Sequence, residues 1–190
     1  PVKKIAIFAS GTGSNAAKII DYFKNHKSIS VSLIVSNKSD AGVLKIAEDS
    51  LIRTLILEKE KFFRGNAFTH ELKKADIDFI ILAGFLWKIP TALIKAFPNS
   101  IINIHPALLP KYGGKGMYGQ HVHQAVIDNK ETESGITIHF VDEHYDHGDI
   151  IFQAKCSVQE NDTASSLAAK VLQLEHKYYP KVIEEVVLQA

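Results

Sequence analysis

The sequence has very little cysteine and no long hydrophobic run. Cys156 is the only cysteine in 190 residues, so the chain can form no intrachain disulfide, as is usual in a reducing compartment. No apolar stretch approaches the roughly 20 residues that a membrane-spanning helix requires. The first four residues lead directly into an apolar strand and do not resemble a signal peptide. We therefore predict a cytoplasmic protein that does not enter a membrane.

The chain also lacks an excess of either charge. The 22 Lys and Arg residues balance 21 Asp and Glu residues, which gives a formal net charge of +1. Because proteins that bind nucleic acids or anionic membranes usually carry a basic excess, neither partner is predicted. We see no internal repeat and no low-complexity segment. The length and the 46% hydrophobic content predict one globular domain with a sizeable core.

Apolar runs alternate with helical segments through the first hundred residues. Strands are predicted over 4–9, 30–35, 53–57, 78–83 and 100–104, and helices over 16–23, 41–49, 61–74 and 91–96. Such alternation indicates parallel strands joined by right-handed crossovers. We also expect Asp40 to cap the second of these helices.

The pattern changes after residue 110. A glycine-rich loop over 113–119 precedes a helix over 120–129, two strands over 135–141 and 150–158, and a helix over 162–189. The two strands are close enough in sequence to pair antiparallel. We expect Asp162 or Thr163 to cap the last helix and Pro180 to interrupt it. The predicted fold class is α/β: a Rossmann-like open twisted sheet with a parallel N-terminal half, a mixed C-terminal half, and helices on both faces.

A glycine loop over residues 11–15 joins the first strand to the first helix. This arrangement directs backbone N–H groups at an anion. The loop also matches the dinucleotide fingerprint, but the tip of the second strand, residues 36–38, lacks the acidic residue that binds a ribose hydroxyl. We therefore favour a single phosphate over a dinucleotide. A turn without any ligand is less well supported, because Ser14 and Asn15 add further donors.

Two polar side chains lie at the end of the fifth predicted strand. Asn103 and His105 are two positions apart and so can share one face, and Pro106 ends the strand. The mouth of a strand is where α/β proteins place their sites. Read alone, the stretch favours a turn-capping Asn and a hydrogen-bonded core His over a functional site. With a carboxylate from the loop over 142–149, it would supply proton transfer and oxyanion stabilisation.

Metal and covalent chemistry are not predicted. A metal site needs three or four converging ligands, and His121 and His123 stand at i and i+2 on a predicted helix, where they do not face each other. Cys156 lies within a strand without an obvious base beside it, which is typical of a buried small residue. No serine stands in a nucleophile-elbow pattern.

Taken together, three motifs resemble those of the folate-dependent formyltransferases. Their order and spacing agree over essentially the whole chain, including Glu175-His176 and Tyr179-Pro180. The motifs are Gly11-Thr12-Gly13-Ser14-Asn15, Asn103-Ile104-His105-Pro106-Ala107-Leu108-Leu109-Pro110 and Gly135-Ile136-Thr137-Ile138-His139-Phe140-Val141-Asp142-Glu143-His144-Tyr145-Asp146-His147-Gly148. In the third motif, Asp146 takes the position of the family's catalytic aspartate.

The resemblance implies transfer of the formyl group of 10-formyltetrahydrofolate to the amine of glycinamide ribonucleotide, in purine (IMP) biosynthesis. The amine would attack the formyl carbon and form a tetrahedral oxyanion. Asn103 and a protonated His105 would donate hydrogen bonds to that oxygen. Asp146 would favour the imidazolium of His105 and would help to move the proton, directly or through a water.

The resemblance also implies the residues that bind each substrate. Residues 1–100 would form a phosphate-binding lobe, and residues 101–190 a catalytic and folate-binding lobe. The ribonucleotide phosphate would bind Gly11, Thr12, Gly13, Ser14 and Asn15, and the glycinamide part would bind Leu86 and Glu175. The folate would bind Arg64, Trp87, Lys88, Ile89, Asn103, Val141, Asp142, Glu143, His144 and Asp146.

The chain departs from the family pattern at two places. Trp87 and Lys88 stand where many relatives have an arginine, and the loop over 113–119 is longer than the common version. Trp87 is equally typical of an aromatic lid or core residue. Arg64 is equally typical of a solvated helix residue. No metal is implied, and the chain is expected to be a monomer or a homodimer.

Other functions stay open at this point. A 10-formyltetrahydrofolate hydrolase would carry a further N-terminal domain, and a methionyl-tRNA formyltransferase a further C-terminal domain and a basic surface; we expect neither here. A sugar-nucleotide formyltransferase agrees less well with the phosphate loop. From other classes, a noncatalytic nucleotide-binding module would leave Asn103, His105 and Asp146 scattered. A dinucleotide dehydrogenase would bind NAD.

Overall fold

The computed structural model describes residues 1–144 and 146–190. These residues form two compact units, Pro1–Ile102 together with Ile183–Ala190, and Asn103–Val182. The elements in chain order are β1 (Lys3–Phe8), α1 (Ser14–Phe23), β2 (Ile29–Ser36), α2 (Gly42–Asp49), β3 (Thr54–Ile56), α3 (Lys59–Arg64), α4 (Ala67–Lys74), β4 (Phe79–Leu82), α5 (Thr91–Ala96), β5 (Ile101–His105), α6 (Gln120–Asp128), β6 (Glu133–Phe140), β7 (Ile150–Ser157) and α7 (Ala164–Gln189). The sequence-based division into lobes at residue 100 stays a prediction.

The first unit is built on parallel strands, as predicted. Its strands lie in the order β3-β2-β1-β4, and β1 pairs in parallel with both β2 and β4. The β1 residues Ile5, Ile7 and Phe8 are all 0% exposed. A parallel strand that is covered on both faces needs apolar residues at successive positions, which explains why β1 reads as a continuous apolar run.

The prediction of one continuous helix over 61–74 is wrong. The chain forms α3 and α4, which are separated at Gly65 and Asn66. Gly65 has an extended backbone with φ −125° and ψ −173°. Glycine is one of the poorest residues for a helix interior, so two short helices form, each of which buries its own apolar residue.

Two further local predictions are also wrong. Asp40 does not cap α2: the N-cap position belongs to Ala41, and no side chain caps that end. The last helix is not interrupted, since α7 runs from Ala164 to Gln189 with Pro180 inside it. Ile183 and Val187, beyond the proline, are both 0% exposed, and this burial offsets the hydrogen bond that a proline removes.

The second unit carries an antiparallel pair, as predicted. β5, β6 and β7 lie in that order, and β6 pairs antiparallel with β7 from Glu133 opposite Ser157 to His139 opposite Ile150. β5 ends at His105, immediately before Pro106, so Asn103 and His105 do lie at the end of a strand. This places both side chains where the second unit can present them to a ligand.

The start of α7 is held by a compact polar network. Thr163 caps the helix: its Oγ1 accepts a hydrogen bond from the Ser166 N–H at 3.1 Å, while the Ser166 Oγ accepts one from the Thr163 N–H at 2.9 Å. Asp162 accepts hydrogen bonds from Lys170 Nζ at 2.5 Å and Ser166 Oγ at 2.6 Å. A third comes from the Gln159 backbone N–H at 2.7 Å. The predicted cap at Thr163 is confirmed.

This network generates a prediction about acid stability. Hydrogen bonds lower the pKa of Asp162 from 3.8 to about 2. The bond from Lys170 has the largest effect, followed by those from Ser166 and the Gln159 N–H. Because the pKa is lower in the folded chain, the carboxylate stabilises the fold above pH 3.8, and this contribution is lost as the pH falls through about 2. In Asp162→Asn, the unfolding free energy should vary less with pH across this window in urea titrations. The control Asp128→Asn, at an exposed residue, should keep the wild-type slope; an unchanged slope in Asp162→Asn would contradict the assignment.

Candidate active site

The imidazole of His105 lies between two oxygen atoms. The residue is 3% exposed, and its Nε2 is 2.7 Å from the backbone carbonyl oxygen of Tyr112. A carbonyl oxygen only accepts hydrogen bonds, so Nε2 carries a proton and donates it. Nδ1 is 3.4 Å from Oδ1 of Asp146. The ring is therefore held at one nitrogen by the main chain and faces a carboxylate with the other.

A second imidazole orients Asn103. His139 Nδ1 is 2.9 Å from the Phe140 carbonyl oxygen and so donates, which leaves Nε2 to accept a hydrogen bond from Asn103 Nδ2 at 3.2 Å. Burial lowers the pKa of His139 and outweighs the opposing effects of the Phe140 carbonyl and Asp146. The neutral form of His139 is the one that this chain of bonds requires, and it fixes which way the Asn103 amide points.

Asp146 connects these groups. Its Oδ1 faces His105 at 3.4 Å and His139 Nε2 at 3.8 Å, and its Oδ2 accepts a hydrogen bond from the Gly114 N–H at 3.0 Å. The side chain is 11% exposed, and the backbone has a φ of +51°. The three residues predicted as catalytic thus come together in the second unit, whereas a noncatalytic module would leave them scattered. Their catalytic roles stay predictions.

The glycine loop of the first unit has the geometry of an anion-binding turn. Gly13 is the N-cap residue of α1 with φ +83°, and a Cβ there would lie 2.9 Å from atoms of Val43. Only glycine fits this position without strain. Gly11, Thr12 and Ser14 are exposed beside the helix start, where backbone N–H groups lie outside the helical bonding pattern. The phosphate-binding role stays a prediction.

Asn37, at the tip of β2, takes part in a structural hydrogen bond. Ser10 Oγ donates to Asn37 Oδ1 at 2.6 Å and accepts a hydrogen bond from the Leu86 N–H at 2.9 Å. Sequence reasoning missed this link, which holds the ends of the parallel strands together through one hydroxyl group. It also positions Leu86, which is 46% exposed and was predicted to contact the glycinamide part of the substrate.

The remaining folate residues predicted in the first unit differ in their surroundings. The half-buried ring of Trp87 packs at 5.7 Å from the Phe62 ring and 5.3 Å from the Phe63 ring, so it belongs to an aromatic cluster. Arg64 is exposed and pairs with Glu60 at 3.2 Å, as a solvated helix residue would. Ile89 is a core residue with 5% exposure, and Lys88 is exposed.

Most of the folate residues predicted in the second unit precede Asp146 in the loop after β6. Asp142 accepts the His144 N–H at 2.8 Å and contacts His147 Nδ1 at 2.9 Å. Burial alone would raise the pKa of Asp142, but the hydrogen bonds from His147 and His144 lower it. Val141 is half-buried, as is Glu175 on α7, and Glu143 is exposed. Tyr145, within the third motif, lies outside the described residues.

A third buried histidine lies on α6. His123 is 5% exposed, and its Nδ1 has no hydrogen-bond partner among the described residues. Burial, and then the nearby charge of His105, lower the pKa of His123. His121, two positions earlier, is exposed, so the two side chains do not face each other. Over residues 1–144 and 146–190, no three His, Cys, Asp or Glu side chains are grouped to hold a metal ion.

Comparison with known proteins identifies the family. The family model described as "Formyl transferase" matches residues 3–183, and the chain therefore belongs to the formyl transferase family. This confirms the resemblance of the three motifs. In the described part of the chain, no helix has the length and apolar character to cross a membrane.

Several relatives carry one name. The phosphoribosylglycinamide formyltransferase of Bacillus subtilis (strain 168) is 36% identical, over 97% of this chain and 94% of that protein. The chloroplastic phosphoribosylglycinamide formyltransferase of Vigna unguiculata is 46% identical over 96% of this chain. The chain spans 60% of the length of the Vigna unguiculata protein and 64% of its Arabidopsis thaliana counterpart.

Solved structures confirm the predicted fold class. The phosphoribosylglycinamide formyltransferase of Anaplasma phagocytophilum is 30% identical, with a TM-score of 0.89 over 98% of this chain and 87% of that one. The enzyme of that name from Bacillus halodurans is 34% identical, with a TM-score of 0.88 over 97% of this chain and 95% of that one. Both have the open, partly parallel α/β sheet that the sequence predicts.

The buried histidines generate a prediction about stability near neutral pH. Unfolding frees His123 and His139 to bind protons below pH 6.5, so the unfolding free energy should fall as the pH falls below that value. In His123→Leu this slope should decrease. At pH 7.5 the variant should be as stable as the wild type or more stable, because a buried nitrogen without a partner is removed.

Urea titrations at a series of pH values measure both effects. The matched control is His121→Gln, which removes an exposed histidine from the same helix and should keep the wild-type slope. A wild-type slope in His123→Leu would show that burial of this imidazole does not govern the pH dependence.

Proposed function

We propose that this chain transfers the formyl group of 10-formyltetrahydrofolate to the amine of glycinamide ribonucleotide, in de novo purine biosynthesis. The observation that carries the proposal is the grouping of Asn103, His105 and Asp146 around His139, in a chain of the formyl transferase family. The names of its relatives, phosphoribosylglycinamide formyltransferase, support this acceptor over others. The Gly11–Asn15 loop would hold the acceptor's phosphate.

In the proposed reaction, the amine nitrogen attacks the formyl carbon and the carbonyl oxygen becomes an oxyanion. Asn103 donates one Nδ2–H hydrogen bond to His139, and its other Nδ2–H would donate to this oxygen. A preorganised donor of this kind is worth about 3 kcal/mol of the barrier. When the intermediate collapses, the bond from the formyl carbon to N10 breaks. The amine loses a proton to Asp146, or to a water that it orders, and N10 gains one.

His105 would act through Nδ1. Its Nε2 proton is already bonded to the Tyr112 carbonyl, whereas Nδ1 lies 3.4 Å from Asp146. A charge-assisted hydrogen bond is usually about 2.7–2.9 Å long, so a proton on Nδ1 would not be fully engaged by Asp146 and would be available to a substrate oxygen. A hydrogen bond from Nδ1 would be the second donor to the oxyanion, beside that from Asn103.

The other proposed sites follow the predicted residues. Leu86 and Glu175 would contact the glycinamide part, and the folate would lie against Trp87, Lys88, residues 141–144 and Asp146. We propose small molecules as the substrates and a reducing, cytoplasmic location on the basis of the single cysteine. The Vigna unguiculata and Arabidopsis thaliana relatives are described as chloroplastic, which is said of those proteins.

The test is an assay of the purified chain with 10-formyltetrahydrofolate, with and without glycinamide ribonucleotide, followed by folate absorbance. We expect turnover only when both are present. Asp146→Asn should lower kcat at least ~100-fold, as is typical for acid–base groups, while its circular dichroism stays that of the wild type. Asp149→Asn, at an exposed residue of the same loop, is the matched control and should keep wild-type turnover.

Each other outcome contradicts a stated part of the proposal. Turnover with water alone would identify a 10-formyltetrahydrofolate hydrolase. No turnover under either condition would exclude both activities. Near-normal turnover of Asp146→Asn would remove Asp146 from the mechanism.

A further inference from the structure

The main chain of residues 112–114 contacts both members of the proposed catalytic pair. The Tyr112 carbonyl oxygen accepts a hydrogen bond from His105 Nε2 at 2.7 Å, and the Gly114 N–H donates to Asp146 Oδ2 at 3.0 Å. Both bonds use backbone atoms, so their geometry depends on the conformation of this short segment. Whatever sets that conformation also sets how the imidazole and the carboxylate face each other.

That conformation is unusual for the residues involved. Tyr112 has φ +60° and Gly114 has φ +95°, both in the left-handed region. A side chain other than hydrogen is strained there, and tyrosine has no local polar group that relieves the strain. At Gly113 an added Cβ would lie 2.6 Å from Leu109 Cδ2 and 3.1 Å from Asp146 Cβ, so the segment also packs tightly. Gly113 and Gly114 suit this backbone because they have no Cβ. Tyr112 has one, so a further contact must hold it at its positive φ.

The side chain of Tyr112 provides that contact. Its hydroxyl group donates to Glu131 Oε2 at 2.8 Å, and Glu131 lies in the turn between α6 and β6. The bond from Tyr112 lowers the pKa of Glu131, while burial and then Glu131 raise the pKa of Tyr112 to about 12. At neutral pH the pair is therefore a hydroxyl donor and a carboxylate acceptor, the strong form of this hydrogen bond.

Lys111 also reaches Glu131 but contributes differently. Its Nζ is 3.4 Å from the same oxygen, and its side chain is 70% exposed. An exposed ion pair of this length has little effect, since solvent screens it. Lys111 is also not the residue whose carbonyl contacts His105. It therefore offers a matched control that changes the charge beside Glu131 without changing the Tyr112 hydrogen bond.

We propose that Tyr112 is a positioning residue for the proposed formyl transfer: its hydroxyl bond to Glu131 holds its carbonyl oxygen on His105 Nε2, and this makes Nδ1 the nitrogen that faces Asp146 and the substrate. The inference rests on the proposed function for its catalytic consequence, and on the structure alone for the position of the ring.

Two variants remove the hydrogen bond between Tyr112 and Glu131, one at the donor and one at the acceptor. Tyr112→Phe removes the donor, and Glu131→Ala removes the acceptor. Each should lower kcat roughly 10- to 100-fold, the size of effect expected when a reacting group is misplaced, with KM changed by less than about twofold. Glu131→Gln keeps an amide oxygen that can accept the bond and should restore most of kcat. The double variant Tyr112→Phe/Glu131→Ala should be no slower than either single variant.

A spectroscopic measurement tests the position of the ring independently of activity. With ¹⁵N-labelled histidine, the wild type should show a slowly exchanging Nε2–H proton of His105. This signal should be lost to exchange in Tyr112→Phe and Glu131→Ala and retained in Glu131→Gln and Lys111→Ala. If the wild type lacks formyl transfer but shows this pattern, the proposed function fails and the positioning role stands.

Two results would overturn the inference. One is a protected Nε2–H signal in Tyr112→Phe together with wild-type kcat. The other is a loss of kcat in Lys111→Ala as large as that in Tyr112→Phe, which would show that charge near Glu131, rather than the tyrosine hydroxyl, is what matters. If Tyr112→Phe fails to fold, Glu131→Ala and Glu131→Gln decide the same question from the other side of the bond.

Discussion

The geometry of the candidate active site depends on the partners of one carboxylate. Asp146 is 11% exposed and needs donors around it, because a carboxylate that has lost water and has no hydrogen bonds is strongly destabilising. The Gly114 N–H donates to Oδ2 at 3.0 Å, and His105 Nδ1 faces Oδ1 at 3.4 Å. The strand end and the glycine-rich loop are joined through this side chain. The chemistry proposed for the site uses the same contacts that stabilise it.

The two imidazoles beside Asp146 are held in different states by backbone carbonyls. The Phe140 carbonyl accepts a hydrogen bond from His139 Nδ1–H, so His139 Nε2 is left to accept one from Asn103. The Tyr112 carbonyl accepts a hydrogen bond from His105 Nε2–H, so Nδ1 of His105 faces the Asp146 carboxylate. One ring thus orients an oxyanion donor, and the other can itself be a donor. This division of roles follows from which nitrogen each carbonyl reaches.

Much of this site could be predicted from the sequence. The spacing of Asn103 and His105, with Pro106 after them, indicates two side chains on one face at the end of a strand, and the structure has them there. The sequence does not reveal the bonds made by Tyr112 and Gly114, because every residue carries the same carbonyl and N–H groups. The hydrogen bond from Asn103 to His139 was also missed, because the sequence does not show which residues of neighbouring strands face each other. The break at Gly65 could have been predicted from its glycine, whereas the continuity of α7 through Pro180 depends on burial that local pattern does not show.

The central claim is that Asp146 holds the glycine-rich loop and the strand end together. Amide hydrogen exchange at Gly114 tests it most directly, because that N–H donates to Asp146 Oδ2. In Asp146→Ala the Gly114 amide should exchange at least roughly 10-fold faster than in the wild type, while amides of the buried strand β1 keep their protection. Equal exchange at Gly114 in the two proteins would contradict the account, since the protection of this N–H would then not depend on the carboxylate.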